Sequence, residues 1–144
     1  MEETDFLIRV ERLEGYQFRV SFDHGIEDLL TSEPPPLGEG NHPNAGQLMA
    51  AALGNCMCAS LLYCLERSRV EVGSVNAEVT TRLERNREGR FRLTRMRLVI
   101  RPEVEDGPKV RRCVDLFREY CVVGKSIEEG ISTEVEVEIP ENGT

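Results

Sequence analysis

The segment from Gln47 to Arg67 constrains this chain more than any other. It carries no charge before Glu66, no proline, and good helix formers almost throughout, so it is expected to form a helix of several turns. A surface helix has a polar face, and this one barely has one. The rest of the chain must therefore cover most of its sides. Three of the five cysteines, Cys56, Cys58 and Cys64, lie on it. At about 100° per residue, Cys56 and Cys58 point to nearly opposite sides and Cys56 and Cys64 lie roughly 80° apart, so an intact helix offers no chelating pair. Ala50, Ala51, Ala52 and Gly54, just before Cys56, are small enough to let another backbone approach, ordinary helix packing being the plainest use of them.

Composition narrows the function. A chain of 144 residues suits one domain spanning 1–144 and buries roughly two-thirds of the surface that its unfolded form exposes. With 18 basic against 26 acidic residues the net charge is −8, which argues against a nucleic-acid-tracking surface. The acidic start, Met1 to Asp5, runs straight into a strand-like alternation and is no signal peptide. The helix from Gln47 is interrupted by Asn55 and Ser60 and followed at once by charge, so it reads as core, not as a membrane span. Five cysteines form an odd set without a disulfide-framework spacing, the pattern of a reducing cytoplasm with thiols that are inert or redox-active.

In chain order, Phe6, Ile8 and Val10 alternate with Leu7, Arg9 and Glu11, and after Glu14-Gly15 the alternation resumes as Phe18, Val20 and Phe22, the pattern of a β-hairpin. After a short apolar piece at Ile26, Leu29 and Leu30, residues 32–46 hold four prolines and three glycines and must be a loop, with Asn44 as N-cap of the following helix. Val70 to Leu83 and Phe91 to Ile100 form a second hairpin-like pair around Asn86 to Gly89, with Phe91, Leu93, Leu98 and Ile100 among its inward candidates. Arg82, Arg85, Arg87, Arg90, Arg92, Arg95 and Arg97 crowd its outer positions, and with Glu84 and Glu88 interleaved they read as a solvated face. Gly107-Pro108 opens a second helix with Val110, Val114, Phe117 and Cys121 on one stripe. Val135, Val137 and Ile139 alternate with Glu134, Glu136 and Glu138 as a closing strand with one buried face. The order is that of an α+β fold.

The run from Pro43 to Cys56, the helix–strand–strand–helix stretch after it, Glu119-Tyr120-Cys121-Val122-Val123 and a final Val-x-Val strand resemble the OsmC/Ohr family of thiol peroxidases. The loop from Glu33 to Gly40 is similar to that of its OsmC-like branch. The resemblance covers nearly the whole chain and implies an intertwined homodimer, with antiparallel sheets wrapped round a long central helix and reactive cysteines at the subunit interface. The family's peroxidatic cysteine falls on Cys56 and its resolving cysteine on Cys121.

A cysteine attacks peroxide as thiolate, and the sulfenic acid formed condenses with a second thiol. At an ordinary pKa of ~8.5 about 3% of a thiol is ionised at neutral pH, and a fall to ~6 raises that roughly thirtyfold. Burial and a net charge of −8 oppose the fall, and Cys56 lies some two turns inside its helix, where the dipole has faded. An arginine is the remaining source. In the family it stands near the first hairpin, where Arg19 and, less strongly, Arg12 qualify, and a glutamate at the entry of the central helix holds it. That glutamate position is Gly46 here, with Glu39 or His42 as loop substitutes. Cys58, Cys64 and Cys113 read as buried thiols. His24 and His42 have no ligand spacing to the cysteines, so no metal and no cofactor are expected.

The expectation is a cytoplasmic homodimeric thiol-dependent peroxidase for organic hydroperoxides, re-reduced by an external dithiol, with neither nucleic acid nor membrane as partner. The alternative is a non-catalytic protein of this fold that lost peroxidase chemistry with the glutamate and binds a small apolar or thiol-bearing ligand at the dimer cleft.

Overall fold

The computed structural model describes residues 2–141. The chain divides into two compact units, one made of residues up to Gly54 with Glu78–Val99, the other of Asn55–Ala77 with residues from Ile100 on. The elements are those of an α+β fold with antiparallel sheets and one long helix.

In the first unit, β1 (Arg9–Glu14), β2 (Gln17–Ser21) and β3 (Leu29–Ser32) form an antiparallel sheet in that order, with Val10 opposite Val20 and Phe18 opposite Thr31. Gly15 makes the turn at φ 52°, a conformation that costs glycine little, and Arg12 Nε donates to its carbonyl at 2.9 Å. The first strand starts at Arg9 and not at Phe6, although the alternation begins there. Phe6 is 86% exposed and lies ahead of the paired region, because β2 ends at Ser21, opposite Arg9. The apolar piece at Leu29 and Leu30 proves to be a third strand, too short to be distinguished by periodicity.

Ser32, at the end of β3, is buried and fastens the proline-rich loop. Its Oγ accepts the His42 amide at 3.1 Å and donates to the His42 carbonyl at 3.3 Å. The loop delivers the chain to α1 (Ala45–Arg67), capped as expected by Asn44. Asn44 Oδ1 accepts the Gln47 amide and Gln47 Oε1 accepts the Asn44 amide, each at 2.9 Å, a reciprocal capping box. Leu53, Met57, Leu61 and Leu65, four residues apart, are the buried stripe of α1. By length and composition α1 is also apolar enough to cross a membrane, a test that the core helix of a water-soluble fold meets too.

β4 (Val75–Arg85) and β5 (Phe91–Pro102) form a two-stranded sheet. Asn86 closes its turn, its Oδ1 accepting the Glu88 and Arg90 amides at 2.9 and 3.0 Å. The arginines are solvated as expected, with Arg82 and Arg90 paired to Glu84 and Glu88. Phe91 and Leu93 are exposed and not inward, whereas Leu98 and Ile100 are half-buried. Phe91 instead lies under the Arg85 guanidinium, 3.9 Å from the ring centre.

In the second unit, Pro108 occupies the first turn of α2 (Pro108–Leu116), a 3-10 turn follows at Phe117–Tyr120, and α3 (Val122–Glu129) ends on Gly130 at φ 70°. The buried stripe is Val110, Cys113, Phe117 and Cys121, so Val114 is corrected to an outward position. Helical spacing allows either 113 or 114 on the face of 110 and 117. Two further expectations fail here. Cys64 and Cys113 are not separate core thiols but a disulfide with Cα atoms 5.7 Å apart, across a sequence separation of 49 that no local spacing reveals. The alternating segment 131–139 is not a strand, and Val135, Val137 and Ile139 are all exposed, because the single chain offers that ladder no partner.

Candidate active site

Cys56 and Ser60 lie four residues apart on α1 and so share one face of it. Against that face stands the first turn of α3. A helix start leaves its first amides without intrahelical acceptors, and here sulfur takes them. Cys121, fully buried, is the N-cap of α3 with extended backbone, and its Sγ accepts the Gly124 amide at 3.3 Å. The Val123 amide donates to Cys56 Sγ at 3.5 Å. Both sulfurs therefore sit on one helix N-terminus, where backbone dipoles favour negative charge.

Gly124 makes the approach possible. A Cβ there would fall 2.6 Å from Met57 Cε and 3.1 Å from Cys121 Sγ, so any side chain displaces one or the other. Outside, Lys125 reaches Glu119 at 3.3 Å and Arg118 reaches Glu128 at 2.7 Å, tying the 3-10 turn to α3.

The electrostatics separate the two thiols. Burial pushes Cys56 up, but the Val123 amide, the Cys121 side chain, the Val122 amide and the Ser60 hydroxyl push it down and prevail, leaving it below an ordinary thiol. Cys121 moves the other way. Burial raises it, the Gly124 amide opposes, and the neighbouring Cys56 sulfur raises it further, with Ser60 lowering it. Cys58, away from these donors, is raised by burial alone. The arrangement pairs a sulfur that ionises readily with one that stays protonated and can donate to it.

Of the residues singled out from sequence, Cys56 and Cys121 are brought together. Arg12 and Arg19 lie on the first sheet, in the other unit. Arg19 is held by Glu11 at 3.2 Å and by Asp28 at 3.6 Å, while Arg12 is turned back on its own hairpin. At Gly46 a Cβ would fall 3.4 Å from Asn44 Oδ1 and 3.8 Å from Leu93, beside an open cleft of about 490 Å³ lined also by Ala50, Ala51 and Val79. Glu39 is exposed, and the His42 backbone is engaged by Ser32. Among the described residues no three histidines, cysteines or carboxylates are grouped as a metal site. Sequence reasoning missed Ser60 and the amides of Val122 and Val123. The available signals were the four-residue offset of Ser60 from Cys56 and Gly130, which closes a short helix with Gly124 in its first turn.

The OsmC-like protein family model matches residues 38–136, more than half of the chain and including both sulfurs of the site. The chain belongs to the OsmC-like family. Solved OsmC-fold structures align with nearly all of it. An OsmC-like protein of unknown function from Vibrio cholerae has a TM-score of 0.76 at 18% identity, over 88% of this chain and 95% of that one. An OsmC-like protein from Mycoplasma pneumoniae has a TM-score of 0.76 at 12% identity, over 90% and 91%. The organic hydroperoxide resistance protein OhrB of Bacillus subtilis has a TM-score of 0.65 at 22% identity, over 87% and 93%. At these identities the likeness is one of fold. No curated protein matches this OsmC-like chain in sequence.

Proposed function

We propose that this OsmC-like protein is a thiol-dependent peroxidase that reduces organic hydroperoxides through Cys56 and Cys121. The observation that carries the reading is the shared N-terminus of α3, where amides hold Cys56 below an ordinary thiol and Cys121 remains protonated beside it. The Cys56 thiolate attacks one peroxide oxygen, the O–O bond breaks, and the other oxygen leaves as alcohol after taking a proton. Cys56 is then a neutral sulfenic acid. The negative neighbour that raised Cys121 is gone, so Cys121 ionises more readily and attacks the Cys56 sulfur, forming the S–S bond and releasing water. Two electrons and two protons from an external dithiol restore both thiols.

Met57 on α1 with Val122 and Val123 on α3 gives the site apolar surroundings that favour an organic peroxide over hydrogen peroxide. Arg19, and less strongly Arg12, is the arginine proposed to stabilise the Cys56 thiolate further. Glu11 and Asp28 hold Arg19 in the way that Gly46 cannot. The working form is a cytoplasmic homodimer. Ala52, Ala59 and the 63% exposed Tyr63 leave one side of α1 uncovered, and residues 131–139 keep an unpaired strand pattern, both of which a second copy would satisfy.

The binding alternative is favoured by one observation, the cleft of about 490 Å³ that Gly46 leaves open, which suits a small apolar or thiol-bearing ligand. One equivalent of cumene hydroperoxide followed by peptide mapping separates the two. A Cys56–Cys121 bridge in the wild type, absent from Cys56→Ser, supports the peroxidase; unchanged thiols leave the binding protein.

A further inference from the structure

We infer that the Cys64–Cys113 disulfide is a positioning element for the reactive pair, holding the chain that carries Cys121 and the α3 amides in register with Cys56. This rests on the peroxidase reading above. Two levels of pairing run along α1 in antiparallel sense: Cys64 is bonded to Cys113 at one, and at the other Cys56 Sγ accepts from Val123 while Met57 Cε stands where a side chain at Gly124 would project. Cys64 lies eight residues beyond Cys56, and Cys113 eight before Cys121. The covalent link is therefore one end of a ladder whose other end is the site.

The chain between the two ends is not a stiff rod. α2 stops at Leu116, a 3-10 turn occupies Phe117–Tyr120, and Cys121 is extended before α3 begins. Such a broken segment transmits register only if it is pinned at its far end. The pin is well placed for that, since Cys113 is fully buried and Ser68 Oγ lies 3.5 Å from its sulfur.

Nor is the disulfide a spare redox partner of the site. Eight helical residues span about 12 Å, well beyond the Cα separation of about 4.4–6.8 Å that a disulfide needs, so Cys56 and Cys64 cannot exchange while α1 is intact. The link forms once, when its two thiols give two electrons and two protons to a hydroperoxide, which leaves as alcohol and water. It then stays closed while Cys56 and Cys121 cycle.

The test compares the wild type with Cys64→Ser/Cys113→Ser and, to keep the buried site apolar, Cys64→Val/Cys113→Ala, each checked for folding by circular dichroism. With excess cumene hydroperoxide, the ratio of Cys56 sulfinic acid to Cys56–Cys121 bridge is expected to rise at least tenfold in both variants. The pH midpoint of Cys56 alkylation is expected to move up. A link that only stabilises the fold would lower the melting temperature and leave ratio and midpoint at wild-type values, which overturns the inference. A wild type that forms no bridge sinks the peroxidase reading instead, and the alkylation midpoint still decides whether the link positions Val123 over Cys56.

Discussion

Val123 donates its backbone amide to Cys56 Sγ at 3.5 Å, so this sulfur draws most of its stabilisation from a neighbouring helix, with Ser60 of its own helix adding to it. Cys56 lies twelve residues into α1, counted from Ala45, too deep for that helix's dipole. The first turn of α3 supplies a second N-terminus, and Cys121 caps it with its own sulfur.

The thiols should therefore titrate in a fixed order. Cys56 is lowered and Cys58 raised, so as pH increases Cys56 reaches its thiolate first. Iodoacetamide alkylation followed by peptide mass spectrometry should give a Cys56 midpoint below that of an unperturbed thiol and a Cys58 midpoint above it. Between the two, label should enter Cys56 selectively. Ser60→Ala removes a donor to the Cys56 sulfur and should move its midpoint upward while leaving that of Cys58 in place. A Cys56 midpoint at or above that of Cys58 would contradict the assignment.

Gly124→Ala separates stability from site geometry. Alanine is the better helix former by about 1 kcal/mol, and Met57 Cε, the atom it would meet at 2.6 Å, is the far end of a flexible side chain. Urea unfolding should shift by no more than about 1 kcal/mol either way. The Cys121 sulfur, 3.1 Å from the new Cβ, has less room to move, so bridging after peroxide should slow severalfold. Equal bridging rates would show that the site tolerates the displacement.

Much of the fold was legible because its signals are local. The uncharged run to Glu66 gave α1, Asn44 with Gln47 gave its cap, and Gly107-Pro108 gave the start of α2. What failed depends on partners distant in the chain. Phe6 and Val135 stand in alternating runs as strand residues do, but alternation states a preference for pairing and cannot supply the other strand. Cys64 and Cys113 carry no mutual spacing, so their link was unreadable. At the site, side chains could be found by type. The amides of Val122 and Val123 could not, because every residue but proline has an amide and only the fold aims it.

Asn44→Ala tests the reciprocal cap. Both bonds to Gln47 are 2.9 Å long, but only the one that Asn44 Oδ1 accepts uses the Asn44 side chain, and its loss leaves the Gln47 amide in the first turn of α1 for solvent to satisfy. The cost should be about 1 kcal/mol in denaturant unfolding. Asn44→Ser, which keeps an acceptor oxygen, should recover most of it, whereas a purely steric role for Asn44 would leave the two variants alike.

Gly54→Ala sets helix propensity against packing. Gly54 lies inside α1, where alanine would be favoured by about 1 kcal/mol, yet a Cβ there would stand 2.9 Å from Val79 Cγ2 on β4. Val79 is β-branched and stiff at χ1, so unlike Met57 it cannot swing its methyl aside, and overpacking of this kind costs about 1–3 kcal/mol. The clash should outweigh the propensity gain and leave Gly54→Ala less stable by about 1 kcal/mol. Val79→Ala removes the methyl that is struck, so the double variant should be more stable than the two single changes sum to, by about 1 kcal/mol or more. A double-mutant cycle in urea measures that difference directly, and strict additivity would mean that α1 and β4 do not meet at these two residues.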